Sequence, residues 1–288
     1  MSIDTIAATD IAENATPSSW TILKRGVQAL HATPLAILFP FVLFAPIIMS
    51  NHMTAVMIML DEREAATGVV VPGLRMLEEV RRLANFFTLP ALFAAWVFGW
   101  PWIAGGAAGR MLDHLGSSTL PRSFAAHAKR LYGRAFAVAL LFLPPFVAII
   151  SLQNVPRAFI STANMPITLA LSLSVESLNC SVMMLMWLAV AAIAWEERGV
   201  IQAIKKSFSF VGQHPKSTMC LLGSIFVVEA MSMPPLHAFQ GFVLQQRSSL
   251  TYTFVILMST AWTMYAIVLS LAWSVAFYHA RRPEHMPP

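Results

Sequence analysis

Charge is what this sequence has least of. Asp, Glu, Lys and Arg together make up 11% of its 288 residues, against about 25% in an ordinary soluble domain. A chain so poor in charge, with a mean hydropathy of +0.65 and apolar runs of about twenty residues, is read as lying in a bilayer. Cysteine is equally scarce: Cys180 and Cys220 are the only two. Both fall in apolar runs at different depths and neither belongs to a CxxC pair, so no disulfide is expected. The sequence also has no phosphate-binding glycine loop, no GxSxG and no HExxH. It is therefore read as a non-enzyme that calls for no cofactor and no nucleic-acid partner. The first thirty residues carry Asp4, Asp10 and Glu13 and no apolar centre, unlike a secretory signal. The first span is expected to serve as the insertion signal.

What is present is an all-α pattern of six transmembrane helices, over about 34–52, 86–109, 135–152, 167–195, 218–236 and 250–280. Each is long enough for a hydrocarbon layer of ~30 Å at ~1.5 Å per residue. They form a single membrane domain over 16–282, between a flexible N-terminus (1–15) and a short tail (283–288). Thirteen Lys and Arg fall on the side of the termini and six on the other, so both termini are expected in the cytoplasm. Segment 61–85, outside, carries Leu74, Leu77 and Val80 on one face and a Glu78–Arg82 pair. It is expected as a surface helix.

Three cytoplasmic segments combine basic and apolar residues. In "VIQAIKKSFSFVG", Ile201, Ile204, Phe208 and Val211 share one helical face, Lys205 and Lys206 lie opposite, and Gly212 can end the helix. In "TPSSWTILKRGVQALHATP", Trp20, Leu23, Val27 and Leu30 share a face, with Thr16 the expected N-cap and Pro17 the first helical residue. The third is "LPRSFAAHAKRLYGRAF", with Lys129 and Arg130. Arg25 precedes Pro34 by the same nine residues that separate Lys206 from Pro215. Each is expected as an amphipathic interfacial helix, with Trp20, Phe124 and Phe208 in the acyl boundary and the dibasic pairs on anionic headgroups or a partner subunit. Interfacial helix, outward span and inward span, three times over, would make a threefold helix-hairpin repeat.

The segments "AIKKSFSFVGQHP", "SFAAHAKRLYGRAF" and "WTILKRGVQALHATP", with the closing "AFYHARR", resemble the basic interfacial segments of a loose group of bacterial inner-membrane proteins. That group includes the YciC-like proteins and the membrane domain of some glycerophosphodiester phosphodiesterases. The resemblance covers the layout of residues 18–282 and implies a six-span bacterial inner-membrane protein, usually without assigned chemistry. The phosphodiesterase domain itself is not in this chain.

Two acids lie inside expected spans, Glu176 in "LSVESLNC" and Glu229 in "FVVEAMSM". A charged group at a helix centre costs about 2.5–3.5 kcal/mol on insertion scales. Side by side they would share a proton, as an intramembrane proton or cation site. Hydrogen-bonded to Ser174, Ser177, Asn179 or Ser232, they would be interhelical glue. Met49, Met53 and Met57, at every fourth residue beside His52, suit soft Cu(I) by ligand type and helix packing by shape. His114, His127 and His214 fall in basic segments and are expected to be solvated. Gly105 and Gly109 form a small-residue face for close packing, and Pro101, Pro144 and Pro145 are expected to bend their spans. The resulting expectation is an accessory or organising membrane protein, or a subunit of a membrane complex. A proton-coupled transporter using Glu176 and Glu229 is the alternative.

Overall fold

The computed structural model describes residues 17–43, 68, 90–116 (without Leu92), 122–160, 165–196, 199–230 and 249–281. Among these every regular element is helical: α1 Ser19–His31, α2 Pro34–Leu43, α3 Trp100–His114, α4 Phe124–Ile160, α5 Met165–Glu196, α6 Val200–Gln213, α7 Pro215–Ala230 and α8 Ser249–Arg281. Among the described residues three single helices are long and apolar enough to cross a membrane, Phe124–Ile149 in α4, Ala170–Glu196 in α5 and Ala261–Arg281 in α8, and the bent pair α1–α2 passes as a fourth if it is one span. The chain is an all-α membrane protein. The expected first, second and fifth spans run into 44–52, 86–89 and 231–236, which lie outside the described residues, as does the expected surface helix, whose face residues Leu74, Leu77 and Val80 are all outside them.

Proline chemistry sets the breaks. The residue before a proline is pushed out of the helical region, whereas proline itself suits a first helical turn. Accordingly α1 ends at His31 and α2 starts at Pro34, the pair bent by 70°. Thr33 Oγ1 ties the corner down by donating to the Ala29 carbonyl at 2.9 Å. At the other proline, His214 leaves the helix (φ −126°, ψ 57°) and α7 starts at Pro215. Gly212 stays inside α6 rather than ending it. The N-cap of α1 is Ser18, whose Oγ accepts from Thr21 N at 3.2 Å. Pro17 stands outside the helix, and Thr16 lies outside the described residues.

Two of the expected bends resolve differently. Before Pro101 the helix widens into a π turn over Ala95–Gly99, and the Trp100 N–H reaches back five residues to Ala95 O. A proline, having no N–H, leaves an i−4 carbonyl without its partner, and such a turn absorbs the fault. Pro144 and Pro145, by contrast, sit within an α4 that is helical throughout its 37 residues.

The packing order is cyclic. The core is a triangle of α3, α5 and α8, each touching the other two. Against them lie α4 on α3 and on α5, α6 on α5, and α1 on α8. The α4–α3 and α6–α5 contacts are the hairpin seams, each joining chain neighbours. The α1–α8 contact closes the ring between the two ends of the chain. Burial follows the repeat at many positions. Ile22, Gly26, Ala29, Ala36 and Pro40 are buried, and so are Ala203, Ser207, Phe210, Ser217 and Leu221, each 181 positions later. Trp20, Lys24 and Leu38 are exposed, as are their counterparts Ile201, Lys205 and Met219. With a shift of 105, Ser18, Ile22, Leu23 and Gly26 match Ser123, His127, Ala128 and Leu131. Ser123 Oγ accepts from Ala126 N at 3.2 Å, as Ser18 Oγ does from Thr21 N. Matched burial in three copies and matched caps in two of them, Ser18 and Ser123, accord with a threefold repeat; the third copy starts at Gly199, which has no side chain to cap with. Beyond Val138 the second copy departs from the other two, because α4 has no proline at the junction and runs on unbroken.

Candidate functional site

The polar chemistry gathers at one end of the bundle, where each core helix meets the next outer helix. At the α3–α4 seam, Asp113 Oδ2 lies 2.8 Å from His127 Nε2, and both side chains are 5% exposed. The same oxygen accepts the Arg122 N–H at 3.1 Å and has Arg110 Nη1 at 3.6 Å. Arg110 also donates to Arg122 O at 2.9 Å. Arg130 Nη2 stands 3.4 Å from His127 Nδ1. A guanidinium can only donate, so Nδ1 accepts and Nε2 carries the proton given to Asp113. Glycine makes room for the ring: a Cβ at Gly109 would lie 2.4 Å from His127 Cγ, and one at Gly106 would lie 2.5 Å from the Phe124 ring. The small-residue face therefore receives His127, which is buried rather than solvated. Phe124 packs inward on Trp102 and Phe39, not into the acyl boundary.

At the α5–α6 seam, Glu196 Oε1 accepts from Lys206 Nζ at 3.1 Å and from Tyr278 Oη of α8 at 2.6 Å. At the α8–α1 seam, Arg281 Nη2 donates to Pro17 O at 2.9 Å, across 264 residues of chain. His31 Nε2 and Tyr265 Oη are 3.2 Å apart, and Gly26 lies against Trp273. Each seam is held by a polar group at the end of a core helix.

The expected headgroup residues divide. Lys24, Arg25, Lys129, Arg130 and Lys205 are exposed, whereas Lys206 is drawn in to Glu196. Trp20 and Phe208 are 76% and 56% exposed. His114 is exposed and His214 packs on Phe210 at 5.1 Å. Asp113, Glu196, Tyr278 and Arg281 were not singled out by sequence reasoning. Their signal was position, a polar residue at the end of an apolar run just before or after a basic segment.

The two intramembrane acids stand about 30 Å from that end, counting twenty residues from Glu196 back to Glu176 at ~1.5 Å each. α5 packs on α7, which brings Glu229 into electrostatic reach of Glu176 and Cys180. Glu176 Oε1 has Asn179 Nδ2 at 3.4 Å and Cys180 Sγ at 3.8 Å. Ser174 and Ser181 instead donate to the carbonyls one turn back in their own helix, and Ser232 lies outside the described residues. Cys180 and Cys220 are both free thiols. Met49, His52, Met53 and Met57 also lie outside the described residues. Among the described residues no group of three or more His, Cys, Asp or Glu could hold a metal ion. No family model, curated protein or solved structure matches this chain.

Proposed function

We propose that the chain is a non-catalytic integral protein of a bacterial inner membrane, acting as an accessory or organising element or as a subunit of a membrane complex. In this reading six spans cross the bilayer with both termini in the cytoplasm. α1, the first turns of α4, and α6 are amphipathic helices in the cytoplasmic interface, and the protein carries no cofactor. The supporting observation is how the polar residues are used. At the seams Asp113, His127, Glu196, Lys206, Tyr278 and Arg281 engage one another or the backbone, holding the ring together rather than converging on a reactive centre. The 70° corner at Pro34 suits a surface helix turning into a span. Single cysteines at Lys129 and Lys205 are expected to be protected from an impermeant thiol reagent in intact cells, and cysteines at Arg157 and Arg247 to react. Labelling at Lys205 overturns the orientation.

One observation favours a second reading, a proton-coupled transporter: Glu176 and Glu229 approach each other across α5 and α7. Reconstituted vesicles with a pH dye inside separate the two. The accessory reading expects proton entry no faster than in empty vesicles under an imposed potential. Entry that is abolished by Glu176→Gln or Glu229→Gln establishes the transporter instead.

A further inference from the structure

The repeat places one exposed lysine at the same position in each of three outer helices: Lys24, Lys129 and Lys205. Their helices pack back along the C-terminal turns of the three core helices, α1 running beside α8 from Arg281 to Tyr265. Tyr278 of α8 reaches Glu196 of α5, α6 touches α4, and α1 touches α3 as well as α8, so the three lysine-bearing helices are gathered round one core. The residue after each lysine has a different fate. Arg130 reaches His127 and Lys206 reaches Glu196, while Arg25 is exposed and Arg281 supplies the cation at that seam. In each copy, then, one cation stands at the seam and the lysine faces outward.

One turn before two of these lysines stands an exposed apolar side chain on the same helical face: Trp20 before Lys24 and Ile201 before Lys205, 76% and 60% exposed. Ala125 takes that place before Lys129. A cation with an apolar neighbour, beside an apolar bundle, matches the boundary of a leaflet, where acyl chain and phosphate lie a few ångströms apart.

We propose that Lys24, Lys129 and Lys205 are three equivalent corners of a basic surface, each holding the phosphate of one anionic phospholipid, with the Lys129 corner the weakest. This rests on the membrane reading given above and deepens it. The occupant is lipid rather than an acidic protein segment because the cations recur at one register of three outer helices, and two of them, Lys24 and Lys205, stand one turn from an exposed apolar residue.

The test is native mass spectrometry of the full chain in mild detergent, titrated with phosphatidylglycerol or with phosphatidylcholine of the same acyl chains. Wild type is expected to retain three phosphatidylglycerols in preference to phosphatidylcholine. Lys24→Gln and Lys205→Gln should each remove one, weakening that step about fivefold, and Lys129→Gln should have less effect. Lys→Arg at each corner should restore retention. Inorganic phosphate in excess should not compete, because a free anion lacks the acyl contact; competition would make this an anion site and overturn the lipid assignment. If phosphatidylglycerol is preferred but the triple Gln variant retains it like wild type, the three-corner surface is wrong and the membrane reading stands. If Lys205 is labelled from outside intact cells, the membrane orientation itself has failed.

Discussion

Two seams of the ring occupy equivalent places and are built from different chemistry. The α3–α4 seam buries a carboxylate and an imidazole between glycines, inside a hairpin whose halves are neighbours in the chain. The α8–α1 seam joins the two ends of the chain with a guanidinium on a backbone carbonyl, a hydroxyl–imidazole contact and one glycine under a tryptophan. The position that holds His127 in one holds Ile22 in the other. A repeat therefore conserves which positions are buried while leaving the side chains free to change, provided each polar group finds a partner. It also follows that the two seams should fail differently. A buried hydrogen-bonded pair is costly to break on one side, because the other group is left unsatisfied away from water. A seam of partly exposed single bonds loses only the net worth of each bond.

The largest effect is expected for Asp113→Asn. It removes the charge that organises His127, Arg110 and the Arg122 amide, and losing a buried hydrogen bond to a charged acceptor costs about 1.5–3 kcal/mol. Thermal unfolding in detergent should show a marked fall in midpoint. A midpoint unchanged from wild type would mean that the pair is not what fastens α3 to α4. Next comes Gly109→Ala. Its methyl would stand 2.4 Å from the imidazole, so the ring must leave its pocket, at about 1–3 kcal/mol for overpacking and more if the Asp113 bond is lost with it. Gly26→Ala makes the same change in the other seam. There the methyl meets Trp273 Cδ1 at 2.9 Å and the Ala272 carbonyl at 3.2 Å, so a smaller shift suffices. Gly109→Ala should therefore exceed Gly26→Ala. The reverse order would show the terminal seam to be the tighter one.

Arg281→Met tests ring closure directly. It keeps the apolar stem and removes the bond to Pro17 O, about 1.5–3 kcal/mol for a bond to a charged donor at full burial and less here, where Arg281 is only half-buried. Proteolysis of the N-terminal segment should accelerate, with the α3–α4 hairpin protected as before. Equal acceleration at both places would mean that the ring opens as one unit.

Much of this arrangement was legible before any coordinates. The apolar runs gave the helices, since a bilayer leaves the backbone no other partner, and the equal spacing of dibasic pair and proline pointed to the repeat. The apolar faces divide, however. Trp20 and Ile201 stand exposed, as residues of an acyl boundary would, while Leu23 and Leu30 of the same expected face are buried, and Gly26, Ala203 and Ser207 pack beside them. In water an apolar face marks the buried side; beside a membrane it marks lipid as readily, and close helix packing selects small residues. His127 was misread for a related reason. Its pocket is cut by glycines eighteen or more positions earlier, and its partner Asp113 lies fourteen positions away across a turn, so no local pattern announces it. The approach of Glu176 to Glu229 was expected from their depths in consecutive antiparallel spans, which helical rise alone supplies.

The smallest effect, and the finest test of the comparison, is expected for Tyr265→Phe. The substitution removes one hydroxyl and leaves the ring against Trp262 and the His31 imidazole. The bond lost is a single 3.2 Å contact with an exposed partner. Its net worth should fall at the low end of the usual 0.5–1.5 kcal/mol. Global unfolding will barely register a change of that size, but local opening of α1 should. A loss of about 0.5 kcal/mol raises the open population a little over twofold by the factor-of-ten per 1.4 kcal/mol rule. Amide exchange in α1 should quicken by that factor, because exchange in a locally opening segment follows its own opening free energy. Amides in the first turns of α4, held by Ser123 and the Asp113–His127 pair, should keep their wild-type rates. Faster exchange confined to α1 would establish that the seams open independently. An equal rise in α4 would mean that a bond in one seam is felt in the next, and that the core triangle couples them.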